Sequence, residues 1–296
     1  MNVIGIDIGG TSLRIGIIDE AGQLRAFEKV RQKDALGGEP VASLGEFIAQ
    51  YIERHGATGS IAGLGIALPG TLNKDRSVVL NLPNIAGFDG QPVAAMLRAR
   101  LGFPVHLLKD VSALFYYDAA RFAIPQEGVT IACYAGTGIG NAICIDGKLL
   151  LGTHGAAGEL GHIPVRGIDR PCGCGNAGCS EACAGGWYLA KLREAHFPNT
   201  PFEHLFVDHA AHEALREYVA DLGATIATEV NILDPEVVIL GGGVITMDGF
   251  PKDALEKVIR THARKPLPEA RLRFVYSDNT GENGVIGAAL FAQEPV

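Results

Sequence analysis

The sequence predicts an α/β protein assembled from two similar halves, and three observations carry the prediction. Strand patterns followed by helical patterns alternate along the chain, as they do when helices cover a sheet. Residues 4–19 (IGIDIGGTSLRIGIID) return as residues 131–146 (IACYAGTGIGNAICID), each reading strand, Gly/Thr loop, strand, Asp. This repeat is the mark of an internal duplication. The second half also holds a Gly-rich stretch with one His and three Cys, the composition of an insertion rather than a packed core.

In order along the chain, residues 3–8 and 13–18 are apolar runs joined by Gly9-Gly10-Thr11 and closed by Asp19-Glu20-Ala21-Gly22, a β-hairpin and a turn. From 43 to 55, apolar residues at 44, 47, 48, 51 and 52 form a helical face, and Ser43 with Glu46 makes a capping-box pattern. Residues 61–68 read as a buried strand broken by Pro69-Gly70. Residues 105–108 form another strand, followed by Asp110 and a helical pattern to Phe122. The second half opens with 129–134, Ala135-Gly136-Thr137-Gly138, 141–145 and Asp146-Gly147. A helix at about 208–233, a strand at 237–240, Gly241-Gly242-Gly243, a helix opened by Pro251, a strand at 271–276 and a helix at about 282–293 complete the pattern. One domain is expected to take residues 1–114 with about 281–296. The other is expected to take 115–280, with the metal-type loop at 161–181.

The chain has 296 residues, 47% of them hydrophobic and 20% charged, with a net charge of −8. That suits a globular chain and argues against a nucleic-acid surface, since no basic run appears. No apolar stretch reaches the roughly 18 residues a membrane span needs. The N-terminus enters a strand at once, with no charged region before it, so a signal peptide is not expected and the predicted location is cytoplasmic. In a reducing compartment, clustered Cys favour metal over disulfides.

His162, Cys172, Cys174 and Cys179 lie within eighteen positions and suit a tetrahedral Zn²⁺ with a structural role. Cys183 is an alternative fourth ligand in place of His162, and a packed core imidazole is the plainer account of that His. Cys133 and Cys144, in apolar strands, read as core thiols. Glu159 and Glu181 bracket the segment. Asp7 ends a strand two residues before Gly9-Gly10-Thr11. Gly lets backbone N–H groups approach a phosphate, and Asp7 suits Mg²⁺ held through water; the alternative is a plain hairpin turn. Gly136-Thr137-Gly138 repeats the arrangement, and two matching loops favour nucleotide phosphate binding. No Walker A lysine follows the first loop, and a strand rather than a helix follows each, so neither is a Walker or Rossmann loop. Gly241, Gly242 and Gly243 leave a flat wall for an adenine or ribose, or simply turn a strand into a helix. Asp110 has the position for a base that takes a sugar hydroxyl's proton, or for a helix N-cap.

The strings DIGGTSLRIGIID, AGTGIG, HGAAGELGHIPV and VVILGGGV, with the spacing His-x9-Cys-x-Cys-x4-Cys-x-Glu, together resemble the ROK family of sugar kinases and sugar-responsive repressors over residues 3 to about 290. The resemblance implies a duplicated actin-like, ribonuclease-H-like ATPase fold whose two lobes close over ATP and a hexose. It implies phosphorylation of a C6 hydroxyl with Asp110 as base. Sugar contacts would come from Asn84, Lys109, Glu159, His162 and Glu181. Asp7, Gly9, Gly10, Thr11, Arg14, Gly136, Thr137, Gly138 and Gly241–Gly243 would face ATP and Mg²⁺. It also implies a homodimer. Only Met1 and Asn2 precede the first strand, so the DNA-binding helices of the repressors are not expected. The family usually has Asn before the catalytic Asp, where this chain has Lys109. That exchange, HGAAGELGHIPV and KPLPEARLRFVYS are most similar to the D-allose kinases. Glucokinase, fructokinase and N-acetylmannosamine kinase are the alternatives within the family. A non-catalytic sugar-sensing regulator is the rival from another class, and a chaperone-type ATPase is a weaker one.

Overall fold

Glycines at three contacts decide how the first unit is assembled. A Cβ on Gly5 would lie 1.9 Å from the Val285 carbonyl, one on Gly65 1.9 Å from that of Ala288, and one on Gly287 1.8 Å from that of Ala113. The C-terminal helix is therefore pressed backbone to backbone onto two N-terminal strands and a helix, and any side chain there would force it off. The computed structural model describes residues 2–83 and 85–294. One unit runs to Ile124 and takes in Leu151–Ala157 and the chain from Thr280. The other comprises Pro125–Leu150 and Gly158–Asn279.

In the first unit, β1 (Asn2–Ile8) and β2 (Ser12–Ile18) form the expected hairpin, and β3 (Leu24–Arg31) adds an edge strand. After α1 (Gln32–Ala35) and α2 (Pro40–Arg54) come β4 (Ile61–Leu68) and the short pair β5 (Thr71–Leu72) and β6 (Val79–Asn81). Then follow α3 (Val93–Leu101), β7 (Val105–Lys109) and α4 (Asp110–Arg121). The sheet order is β3-β2-β1-β4-β7, antiparallel on the β3 side and parallel on the β7 side. Ile4, Ile6 and Ile8 pack with Leu44, Ile48 and Tyr51 of α2. The alternate residue Val3 packs with Ala289 of the C-terminal helix instead, the period of two that a doubly covered strand requires.

The second unit holds β8 (Val129–Ala135), β9 (Ile139–Ile145) and β10 (Lys148–Leu149), then α5 (Glu181–Ala184), α6 (Gly186–His196), α7 (Leu205–His209) and α8 (Glu213–Leu233). It continues with β11 (Val237–Gly241), α9 (Gly242–Ile245), α10 (Lys252–His262) and β12 (Arg273–Tyr276). The last helix, α11 (Asn283–Gln293), returns to the first unit. The order β10-β9-β8-β11-β12 repeats the first sheet, direction for direction. Leu215, Leu222, Ile226 and Val230 of α8 and Leu255 and Ile259 of α10 fill its core.

Several expectations change. The helix placed from Ser43 starts at Pro40 with Glu39 at its cap, so Ser43 and Glu46 are not a capping box; Pro in the first turn has no N–H to leave unpaired. The helix placed at 208–233 is two helices, because the His212 ring accepts the Ala214 N–H and starts α8 afresh. The strand placed from 271 begins at Arg273, after a 3₁₀ turn over Glu269–Arg271. A domain boundary at 114 would cut α4, which packs along α11, and residues 151–157 fall in the first unit rather than the second. The two hairpins are also not in register. Four residues separate Ile8 from its partner Leu13, but only three separate Ala135 from Ile139. Among the described residues no helix is long and apolar enough to cross a membrane.

Candidate functional site

Each unit carries its own set of polar groups. In the first, Asp7 and Arg14 stand directly opposite each other across the hairpin. Arg14 Nη1 donates to Asp7 Oδ2 at 2.8 Å. The Asp7 carboxyl lies against the first turn of α11, where a Cβ on Gly284 would come within 2.9 Å of it. Burial raises its pKa and the guanidinium pulls it back. The Gly9 N–H donates to the Ser12 carbonyl at 2.8 Å and closes the loop; the N–H groups of Gly10 and Thr11 have no backbone partner among the described residues. Lys109 ends β7 in extended conformation as the cap of α4, and Asp110 is the first helical residue. The N-cap alternative for Asp110 therefore does not hold. Its Oδ1 accepts the Val111 N–H at 2.8 Å. Burial pushes the carboxyl up to about 6, Val111 pulls it down, and the nearby Asp7 charge pushes it up again. Asn84 lies outside the described residues.

In the second unit, Gly136, Thr137 and Gly138 form the β8–β9 loop. The Gly136 N–H donates to the Gly138 carbonyl at 3.0 Å. The Gly136 and Thr137 carbonyls accept the N–H groups of Gly186 and Trp187 at 3.0 and 2.9 Å. The Ile139 N–H goes to Glu181 Oε2 at 2.9 Å. Gly241 ends β11, and Gly242, at φ +88°, turns the chain into α9 so close to β8 that a Cβ would lie 2.5 Å from the Ala135 carbonyl. The plain-turn account of the Gly241–Gly243 run is thus correct for Gly242, while Gly243 faces open space.

The Cys/His segment folds into a knuckle. Cys172 N–H donates to the Asn176 carbonyl and Gly175 N–H to that of Cys172, and short bridges pair Pro171 with Ala177 and Pro164 with Cys179. Donor atoms of His162, Cys172, Cys174 and Cys179 all lie within 4.8 Å of one another. His162 Nδ1 is 3.6 Å from Cys172 Sγ, and Cys174 Sγ is 3.6 Å from Cys179 Sγ. A tetrahedral Zn²⁺ with Zn–S near 2.3 Å and Zn–N near 2.0–2.1 Å sets those edges at about 3.5–3.8 Å, so the donor set fits. Cys183 is the ligand that drops out: it is buried in α5, with its thiol on the Ser180 carbonyl at 3.2 Å. Cys133 and Cys144 are buried in β8 and β9. With Nδ1 turned to the metal position, His162 Nε2 faces Glu159 Oε2 at 3.8 Å. One ring nitrogen is thus available to a ligand beside a carboxylate.

Sequence reasoning missed Ile139, Gly186 and Trp187, which act through backbone N–H groups and carry no side-chain signature. The pair Gly185-Gly186, directly after Glu181 and the knuckle, was the usable signal. It also missed Glu229 of α8, a buried acid bonded to Asn141 Nδ2 at 2.8 Å.

Known proteins resemble the whole of this arrangement. An N-acetyl-D-glucosamine kinase of Escherichia coli O139:H28 is 29% identical over 304 residues, covering 97% of both chains. A ROK family glucokinase from Streptomyces griseus, solved with glucose and AMPPNP, superposes with a TM-score of 0.80 at 27% identity over 99% of each chain. A ROK family transcriptional regulator, a homolog of the E. coli MLC protein, shares the fold at 23% identity with a TM-score of 0.84, over 98% of this chain and 77% of its own. The ROK family model matches residues 3–295, and the chain belongs to the ROK family.

Proposed function

We propose that the protein is an ATP-dependent sugar kinase acting on the C6 hydroxyl of a hexose. The observation that carries this is Asp110: a carboxyl at a strand-to-helix junction, with a pKa raised to about 6. A base should be poised near the working pH, ionised but still able to accept a proton. Asp110 takes the hydroxyl proton as the sugar oxygen forms its bond to the γ-phosphorus and the bond to the ADP oxygen breaks. The proton stays on the carboxyl until ADP and sugar phosphate leave. In the first unit the N–H groups of Gly10 and Thr11, and in the second those of Thr137 and Gly138, are each suited to phosphate oxygens. Asp7 has one oxygen committed to Arg14, which leaves Oδ1 for a water on the Mg²⁺ that accompanies a nucleotide. Glu159, His162 and the Oε1 of Glu181 meet sugar hydroxyls. Zinc on His162 and the three thiolates would stiffen the loop and fix the His162 tautomer, so that Nε2 donates.

The kinase relative of E. coli and the glucokinase with its bound glucose and AMPPNP support this reading over a sugar-sensing regulator. For the sugar itself we propose D-allose, whose C3 hydroxyl is axial, on the resemblance of Lys109, HGAAGELGHIPV and KPLPEARLRFVYS to the D-allose kinases; Lys offers only donors, where Asn offers a donor and an acceptor. The test is ADP release with D-allose, glucose, N-acetylglucosamine, N-acetylmannosamine, mannose and fructose. The highest kcat/KM is expected with D-allose. A clear preference for glucose or N-acetylglucosamine removes the allose assignment and leaves the kinase. No sugar-dependent ADP at all removes the kinase and leaves the regulator.

A further inference from the structure

We propose that Glu181 is a positioning residue that ties the metal knuckle to the Gly136–Gly138 loop, so that the knuckle governs nucleotide binding as well as the sugar side. The inference rests on the kinase reading for the identity of the ligand, a nucleoside triphosphate. Its geometric part stands on the second unit alone.

In a trans peptide the C=O and the following N–H share a plane and point opposite ways. Gly186 holds the Gly136 carbonyl and Trp187 holds the Thr137 carbonyl. The N–H groups of Thr137 and Gly138 are therefore turned away from α6, side by side, as an anion-binding turn requires. The third plane joins Gly138 to Ile139. Its N–H is held by Glu181 Oε2 at 2.9 Å and its carbonyl by the Gly136 N–H at 3.0 Å. Two of these planes are fixed by the backbone of α6, and the third by the loop's own Gly136 N–H and one side chain, Glu181.

That side chain belongs to the knuckle. Glu181 follows Cys179 by two residues. Between them, buried Ser180 donates its hydroxyl to the Leu160 carbonyl at 2.8 Å and its N–H to the Ile163 carbonyl at 2.9 Å. Leu160 and Ile163 flank His162, so the two chain segments that carry the donor atoms are laced together directly behind Glu181. Its other oxygen, Oε1, is 4.0 Å from Cys172 Sγ. The carboxylate also fills the space a side chain on Gly138 would need, since a Cβ there would lie 2.1 Å from Oε2. The loop is thus shaped to receive this one acceptor, and its position depends on a knuckle whose four donor atoms would close around a metal.

The experiment compares wild type, Glu181→Ala, Glu181→Gln and wild type stripped with a chelator. It reads amide exchange at Ile139 and the calorimetric Kd for AMPPNP without sugar. In Glu181→Ala, Ile139 should exchange about tenfold faster or more, and AMPPNP should bind about tenfold more weakly, the scale of a lost hydrogen bond to a charged group. Glu181→Gln should restore both towards wild type, because its amide oxygen still accepts the Ile139 N–H. Stripped protein should resemble Glu181→Ala. Unchanged exchange and Kd in Glu181→Ala overturn the proposal, as does a Gln variant as impaired as Ala, or stripped protein with wild-type affinity. If Glu181→Ala fails to fold, the Gln variant and the stripped protein decide alone. Wild type that binds no AMPPNP refutes the kinase reading itself, whereas altered exchange without altered affinity refutes only the link to nucleotide.

Discussion

The two hairpin loops descend from one sequence pattern but are held differently. Gly9–Thr11 is braced by a cross-strand charge pair, Arg14 to Asp7, and by one N–H from outside the hairpin, Gln32 of α1 to the Thr11 carbonyl at 3.0 Å; nothing lies within 4 Å of where a Gly10 side chain would begin. Gly136–Gly138 is braced from outside, by two backbone N–H groups of α6 and the Glu181 carboxylate. Two differences lie behind this, the residues themselves and one residue of loop length. In the ungapped repeat Asn141 stands where Arg14 does and Tyr134 where Asp7 does. With the second loop a residue shorter, Asn141 pairs with Cys133 instead, and a one-residue slip changes the face on which every partner lies. Neither Tyr134 nor Asn141 is charged, so no cross-strand charge pair forms there, and support comes from the inserted segment. A duplicated fold thus keeps one loop beside a charge pair and the other against the backbone of α6 and the Glu181 carboxylate.

The sharpest test removes the charge of the proposed base. Asp110→Asn should keep sugar binding and lower kcat by about 10²- to 10⁴-fold; near-normal turnover would end the assignment of Asp110 as base. The same group sets a pH limit. Only the ionised carboxylate accepts a proton, and its pKa is about 6. For wild type, kcat/KM should therefore rise about tenfold per pH unit below 6 and level off above it. A profile with no inflection between pH 5 and 7 would contradict the raised pKa.

The contrast also predicts unequal glycines. Gly138→Ala must displace the Glu181 carboxylate from Ile139, at a cost of about 1–3 kcal/mol. Gly10→Ala enters open space, and its effect on stability should stay within about 0.5 kcal/mol. Urea midpoints of the two variants read this directly. Equal losses would mean that the two loops are braced alike.

Much of this was legible in the sequence because the fold repeats and the candidate metal ligands are concentrated. Alternating isoleucines marked β1 and β2, and His162 with Cys172, Cys174 and Cys179 stood out by spacing alone. What was illegible has a physical reason in each case. The edge strand β3 alternates half-buried residues with exposed Arg25, Phe27, Lys29 and Arg31, and so lacks a continuous apolar run. Ser43 mimicked a helix start because Pro40, the true first residue, gives no hydrogen-bonding signal. The ring of His212 caps α8 although the usual capping side chains are Ser, Thr, Asp and Asn. The bracing of Gly136–Gly138 depends on backbone groups of residues some fifty positions later, which no local pattern encodes.

A last effect concerns how the second hairpin satisfies its own polar residue. Asn141 donates through Nδ2 to the Ala132 carbonyl at 3.0 Å and to Glu229 Oε2 at 2.8 Å. Its buried Oδ1 has no partner among the described residues. Glu229 is 6% exposed, and burial pushes its pKa up to about 8 while the bond from Asn141 pulls it down. Because the folded pKa lies above the ordinary value of 4.5, the neutral acid is the form the fold prefers. Its stability is complete below about pH 4.5 and declines as pH rises to about 8, where the folded protein also ionises. Glu229→Gln is neutral at every pH and offers an N–H to the unpaired Oδ1. Measured as Tm against pH, it should remove this part of the decline and make the protein more stable than wild type at pH 8, by about 1–3 kcal/mol. A Gln variant that loses stability in parallel with wild type between pH 5 and 8 would show that Glu229 stays ionised in the folded protein. The second hairpin would then rest on a buried charge, where the first rests on the half-buried pair Asp7 and Arg14.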